Sequence, residues 1–75
     1  MRYFKAVIHY DLNAANDGSG QFEQVLYCCS VNEFPQNDGL RELFYSLYSD
    51  GKTYQSATWK QVREEDITTD EIHLL

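Results

Sequence analysis

The chain opens on strict alternation. Phe4, Ala6, Ile8, Tyr10 and Leu12 fall on one side of an extended backbone, with Tyr3, Lys5, Val7 and His9 on the other. That period of two predicts a half-buried first strand over residues 3 to 12, even positions inward. Asn13 to Gly20 is built of turn formers, and its Asp17-Gly18 and Ser19-Gly20 pairs supply the positive φ angles of a chain reversal. A mobile hairpin loop is expected there. Residues 21 to 31 carry Phe22, Val25, Leu26, Tyr27, Cys28, Cys29 and Val31 with weaker alternation. They predict a second strand, apolar on both faces in its middle and antiparallel to the first.

The period then changes. Leu40, Leu43, Phe44, Leu47 and Tyr48 recur at i, i+3, i+4, i+7 and i+8, while Arg41, Glu42, Tyr45, Ser46 and Ser49 fill the other side, as in an amphipathic helix. Asn37 or Asp38, just after the only proline, Pro35, can cap its start, and Asp50-Gly51 can close it. Residues 52 to 63 carry two signals. Thr53, Tyr54, Thr58, Trp59 and Val62 favour a third strand, yet Thr58 with Gln61 fits a capping box and Trp59, Val62 and Ile67 could share a helical face. The β-formers predict a strand. Ile67 to Leu75, with Ile72, Leu74 and Leu75, predicts a short edge strand returning to the sheet. The expected architecture is one α+β domain over residues 1–75, ordered β-β-α-β with an optional fourth strand. Its helix lies across one face of an antiparallel sheet of three or four strands.

Seventy-five residues leave a thin core, since a chain of this length buries about 60–65% of its unfolded surface. Hydrophobic residues at 43% and aromatics at 15% are enough to argue against disorder. Six tyrosines, four phenylalanines and one tryptophan exceed what one thin core usually holds, so some should be exposed. Tyr45 falls on the polar side of the helix and Tyr3 opposite the core side of strand one. Neither has an obvious intramolecular burial, which makes both candidates for a contact surface, although isolated exposed aromatics are also ordinary. A homodimer could use the same surface.

The N-terminus, Met1-Arg2-Tyr3-Phe4-Lys5, lacks the apolar run of a signal peptide, and nothing approaches the ~20 residues of a membrane span. A cytoplasmic location is expected, with no membrane partner. Cys28 and Cys29 are adjacent, which fits neither a disulfide framework nor C-x-x-C chemistry. On a strand they point to opposite faces, as one core thiol and one half-exposed thiol.

Catalytic and metal chemistry finds little support. His9, His73, Cys28 and Cys29 match no structural zinc spacing. Cys29 could meet His9 across the first hairpin as a nucleophile pair, against the plainer reading of an inert thiol beside a surface imidazole. Gly18 and Gly20 lack the helix start that a phosphate loop requires. No enzyme class and no cofactor is indicated.

Charge is the feature that points outward. The net charge is −6, and five of the twelve acids, Glu64, Glu65, Asp66, Asp70 and Glu71, fall in the last twelve positions, which hold no Lys or Arg. The six bases, Arg2, Lys5, Arg41, Lys52, Lys60 and Arg63, are scattered, so direct nucleic-acid binding is not expected. Carboxylates on a rigid surface can instead imitate phosphates and occupy a basic groove. Glu64, Glu65, Asp66, Asp70 and Glu71 are the candidates, with Asp11, Asp17 and Glu23 as a second patch near the loop. The alternative is a solvated acidic tail that aids solubility.

In length, acidity, tyrosine content and lack of catalytic residues the chain resembles the small acidic proteins that phages and mobile elements direct against host defences. Anti-CRISPR proteins and DNA-mimicking restriction inhibitors are among them. The likeness covers no residue pattern and carries no functional positions. It implies a non-enzymatic inhibitor in the host cytoplasm that occupies a basic, nucleic-acid-handling surface of a larger host protein or ribonucleoprotein. Glu64, Glu65, Asp66, Asp70 and Glu71, with Tyr45 and Tyr3, are the expected contacts. The alternative is a small assembly protein that homo-oligomerises through its tyrosine-rich face.

Overall fold

The computed structural model describes residues 1–15, 17–32, 34–48 and 50–75. In chain order it contains β1 (Arg2–Leu12), a 3₁₀ turn (Asn13–Ala15), β2 (Phe22–Ser30), α1 (Asn37–Leu47), β3 (Lys52–Val62), a second 3₁₀ turn (Glu64–Asp66) and β4 (Ile72–Leu74). The α+β order is the one the sequence predicts, with the fourth strand present and residues 52 to 62 a strand. The sheet runs β3-β1-β2-β4. Here the structure corrects one expectation. β1 is antiparallel to β2 and β3, but β4 is parallel to β2, so the sheet is mixed.

Topology explains that sense and places the acidic segment. β2 and β3 both oppose β1, so they are parallel to each other, and α1 joins them as a crossover over one face. The chain then leaves β3 at one edge and must pass β1 and β2 to reach β4 at the other. Two right-handed crossovers made in opposite directions lie on opposite faces. That rule assigns residues 63–71 to the face that α1 leaves uncovered.

The even positions of β1 build the core. Phe4, Ala6 and Ile8 are fully buried, joined by Leu26 and Cys28 from β2 and by Leu40 and Phe44 from α1. Phe44 is the central ring, with Tyr10, Tyr45, Tyr48 and Tyr54 at centroid distances of 5.4, 5.6, 5.5 and 6.1 Å. The helix ends differ from expectation. Its N-cap is Gln36, without a side-chain cap, and Asn37 and Asp38 lie inside the first turn, where the Asp38 carboxylate suits the positive end of the helix dipole. It stops at Leu47, which is 42% exposed, and Gly51 (φ +75°) serves the turn into β3 instead of the helix end. Ser49 lies outside the described residues.

The loop expected to be mobile is tied down by a buried carboxylate. Asp11, fully buried, accepts from the Gly18 and Gly20 amides at 3.0 and 2.8 Å, from the Gln55 side-chain amide at 2.9 Å and from the Ser19 hydroxyl at 3.5 Å. Asp11 is thus no part of a surface acidic patch. Gln55 is free to reach it because β3 slips register there: Ser56 pairs with His9 and Tyr54 with Tyr10, leaving Gln55 as an extra bulged residue. Gly20 sits at φ +61°, and a Cβ there would lie 3.1 Å from the Gln55 Cβ, so the loop and the bulge require each other.

Candidate functional site

On a strand, side chains two apart share a face, and the ladder then reads off what the uncovered face presents. Val62, Tyr3, Cys29 and Leu74 form one cross-sheet row, Lys60, Lys5, Tyr27 and Ile72 the next, and Thr58, Val7 and Val25 a third. Lys5 and Lys60 stand directly opposite each other, and among the described residues neither enters an ion pair; together with Val7, Thr58 and Trp59 they line a shallow recess of about 270 Å³.

The handedness of the crossover directs the acidic connection over this face, and Glu64 beside Tyr3 sets its start there. Glu64, Glu65 and Asp66 occupy the 3₁₀ turn directly after β3, and Asp70 and Glu71 precede β4; all five are exposed. The turn begins beside Tyr3, a half-buried side chain whose phenol is raised above its ordinary pKa by partial desolvation and by the neighbouring Glu64 carboxylate. At the far end Thr69 and Glu71 border a cleft of about 220 Å³ with Val25, Tyr27 and Tyr48. Five carboxylates are therefore spread from one sheet edge to the other.

They are not equally available. Arg63 reaches back to Glu65 at 3.0 Å and to Asp66 at 3.1 Å, so one cation is shared between two exposed acids. Such surface pairs contribute about 0–1 kcal/mol and exchange readily for another cation. Glu64, Asp70 and Glu71 have no ion pair among the described residues. Of the other acids proposed near the loop, Asp17 is exposed, its carboxyl held below the usual range by hydrogen bonding to Ser19, whose amide it accepts at 2.9 Å. Glu23 lies 3.7 Å from His9.

Tyr45 stands elsewhere and does other work. It is half-buried against Phe44, and its hydroxyl accepts the Tyr54 backbone N–H at 3.0 Å. A helical position on the polar side reaches inward here because the α1 helix lies along β3, and the bulge at Gln55 leaves an amide for the phenol to satisfy. Tyr3 and the acidic crossover are thus brought together on the uncovered face, while Tyr45 belongs to the junction of α1 with β3.

The nucleophile pair does not form. Cys29 pairs with Tyr3 and His9 with Glu23, six residues apart along β1, a separation of about 20 Å. Cys28 is fully buried, and burial, then the neighbouring Cys29, push its thiol up to about 11. Among the described residues no three His, Cys, Asp or Glu converge as a metal site, and no helix is long and apolar enough to cross a membrane.

Sequence reasoning missed two exposed aromatics. Phe34, 51% exposed, meets Trp59, 42% exposed, at a 40° tilt with ring centroids 5.9 Å apart, and Trp59 in turn meets Phe4 edge-on at 5.5 Å. Trp59 shares the helix face of β3 with Ala57, and on this edge strand it stays exposed despite Phe34 beside it. The parity of residues 57, 59 and 61 carried that signal once the strand was assigned. No protein-family model matches the chain, and neither does any curated protein or solved structure.

Proposed function

We propose that this chain is a non-enzymatic binding module that presents its acidic crossover to a basic surface on a nucleic-acid-handling protein. The observation that carries the reading is the arrangement of Glu64, Glu65, Asp66, Asp70 and Glu71. All are exposed on a single connection that joins β3 at one sheet edge to β4 at the other, and Arg63 is the one cation within that connection. Tyr3 supplies an amphipathic ring beside Glu64, the kind of group that anchors an interface once water is excluded. The Lys5–Lys60 pair bounds the contact, because a cationic partner is repelled from that part of the face.

The role is inhibition by occupancy. Carboxylates held on a folded scaffold fill a groove built for phosphates without losing chain entropy on binding, the advantage that a rigid ligand has over a disordered acidic tail. The reading is tested by capturing partners from a cell lysate on the immobilised protein at about 50 and about 200 mM salt, then measuring association rates for what is recovered. The expected result is a partner with a basic, nucleic-acid-binding surface whose association slows steeply as salt rises. Recovery of partners lacking such a surface, or with salt-independent rates, overturns it.

A further inference from the structure

We propose that the outer edge of β3 is a self-association surface that takes a second copy of this chain by antiparallel strand addition about a two-fold axis at Thr58. β3 is an edge strand of eleven residues, and an edge strand offers unpaired N–H and C=O groups to another strand. Its lower end is closed. The Tyr54 amide is taken by the Tyr45 hydroxyl, and the bulge at Gln55, whose side-chain amide bonds Asp11, interrupts the regular ladder. The upper end runs into the Glu64–Asp66 turn. What remains for pairing is Ser56 to Val62.

Charge selects both the occupant and the register. With Lys60 on the axis, two lysines oppose each other directly. With Trp59 on the axis, the two Lys60 side chains become same-face diagonal neighbours at about 7–8 Å, next to the Lys5 of each copy. With Ala57 on the axis, Lys60 meets Tyr54 and the ladder enters the bulge. Thr58 on the axis avoids both lysine conflicts and pairs Ser56 to Lys60, ending one residue before Gln61 would oppose the bulged Gln55. Lys60 then faces Ser56 of the other copy, Trp59 faces Ala57, and Thr58 faces Thr58. A large ring covers a small side chain, and threonines pair across strands as they do in stable sheets. The exposed part of Trp59, with Phe34 tilted against it, becomes the covered centre of the contact. A lysine on an edge strand guards against indiscriminate pairing; here Lys60 leaves one register open. The inference concerns the β3 edge and is independent of the acidic crossover.

The test uses the whole chain in a Cys29→Ser background, with sedimentation at about 100 µM, where a micromolar interface is filled, and mild oxidation. Residues facing each other on the axis have Cα atoms about 4.5–5.5 Å apart, inside the window for a disulfide, whereas the two copies of residue 56 lie about 13 Å apart. Thr58→Cys is expected to cross-link to a covalent dimer, and Ser56→Cys is not. Ser56→Lys, which sets lysine against Lys60 twice, is expected to shift the dimer to monomer, and adding Lys60→Glu to restore it. Ser56 and Lys60 are exposed, and circular dichroism confirms that each variant is folded. Monomer at every concentration, equal cross-linking of both cysteine variants, or no rescue by Lys60→Glu overturns the proposal.

Discussion

Asp11 and the Glu64–Asp66 turn hold the same functional group in opposite circumstances. Asp11 is fully buried and receives two backbone amides, a side-chain amide and a hydroxyl, so its charge is spent inside the molecule on fixing the Gly18–Gly20 loop to the β3 bulge. Glu64, Glu65 and Asp66 are exposed, and among the described residues the only cation paired with any of them is the surface Arg63, shared by Glu65 and Asp66. Counting acids along the chain treats these residues alike; burial separates them into a carboxylate that the fold needs and carboxylates that remain available to a partner. Neutralising the first should cost stability, and neutralising the others should cost almost none.

The comparison breaks most visibly at Asp11. Asp11→Ala removes the acceptor of the Gly18 and Gly20 amides and one partner of the Gln55 side chain, and an orphaned buried donor such as the Gly20 amide costs about 1–3 kcal/mol. An overall loss of about 3 kcal/mol is expected in urea unfolding. A loss below about 1 kcal/mol would mean that the loop closes without its carboxylate. Gly20→Ala attacks the same knot from the other side. Its φ of +61° strains any side chain, and a Cβ 3.1 Å from the Gln55 Cβ forces that neighbour to give by a few tenths of an ångström, so thermal unfolding should report a loss of about 2 kcal/mol.

Tyr45→Phe tests the reassignment of Tyr45 from contact surface to structural junction. It removes one hydroxyl, leaves the Tyr54 amide unsatisfied, and should cost about 1 kcal/mol in the same assay. A wild-type stability for this variant would return Tyr45 to the surface. Smallest of all is the double variant Glu65→Gln/Asp66→Asn, which removes both partners of Arg63 and should shift stability by less than about 0.5 kcal/mol per site. A larger loss would show that the acidic turn is part of the fold and not a surface feature.

The sequence resolved this division only in part, for physical reasons that differ from residue to residue. The core positions Phe4, Ala6, Ile8, Leu40 and Phe44 were legible because period-two and helical spacing report directly on which side of an element is inward. Asp11 was misread because it occupies an odd position on β1, on the side that alternation assigns to solvent. Its burial comes from a loop folding back and from a bulged Gln55 forty-four residues later, and neither is a local property. The parallel sense of β4 was likewise invisible, since it follows from how the chain crosses from β3 to the far edge and not from the composition of Ile72–Leu74. Tyr45 looked exposed because helical spacing describes one helix alone and ignores the strand packed beside it. The clustering of Glu64, Glu65, Asp66, Asp70 and Glu71 was legible from the start, whereas the crossover that carries them over the uncovered face needed the sheet order.

The measurement closest to the central claim compares the wild-type chain with the triple variant Glu64→Lys/Glu65→Lys/Asp66→Lys. Each is used to capture partners from the same lysate, with the unfolding midpoint of each recorded in parallel. Surface substitutions of this kind usually move stability by about ±0.5 kcal/mol each, whereas like charges set against a basic surface cost several kcal/mol of binding. The account expects a folded variant with a nearly unchanged midpoint that no longer retains the basic partner recovered by the wild type. A folded variant that retains that partner undiminished would contradict it and leave the acidic crossover as a feature of solubility alone.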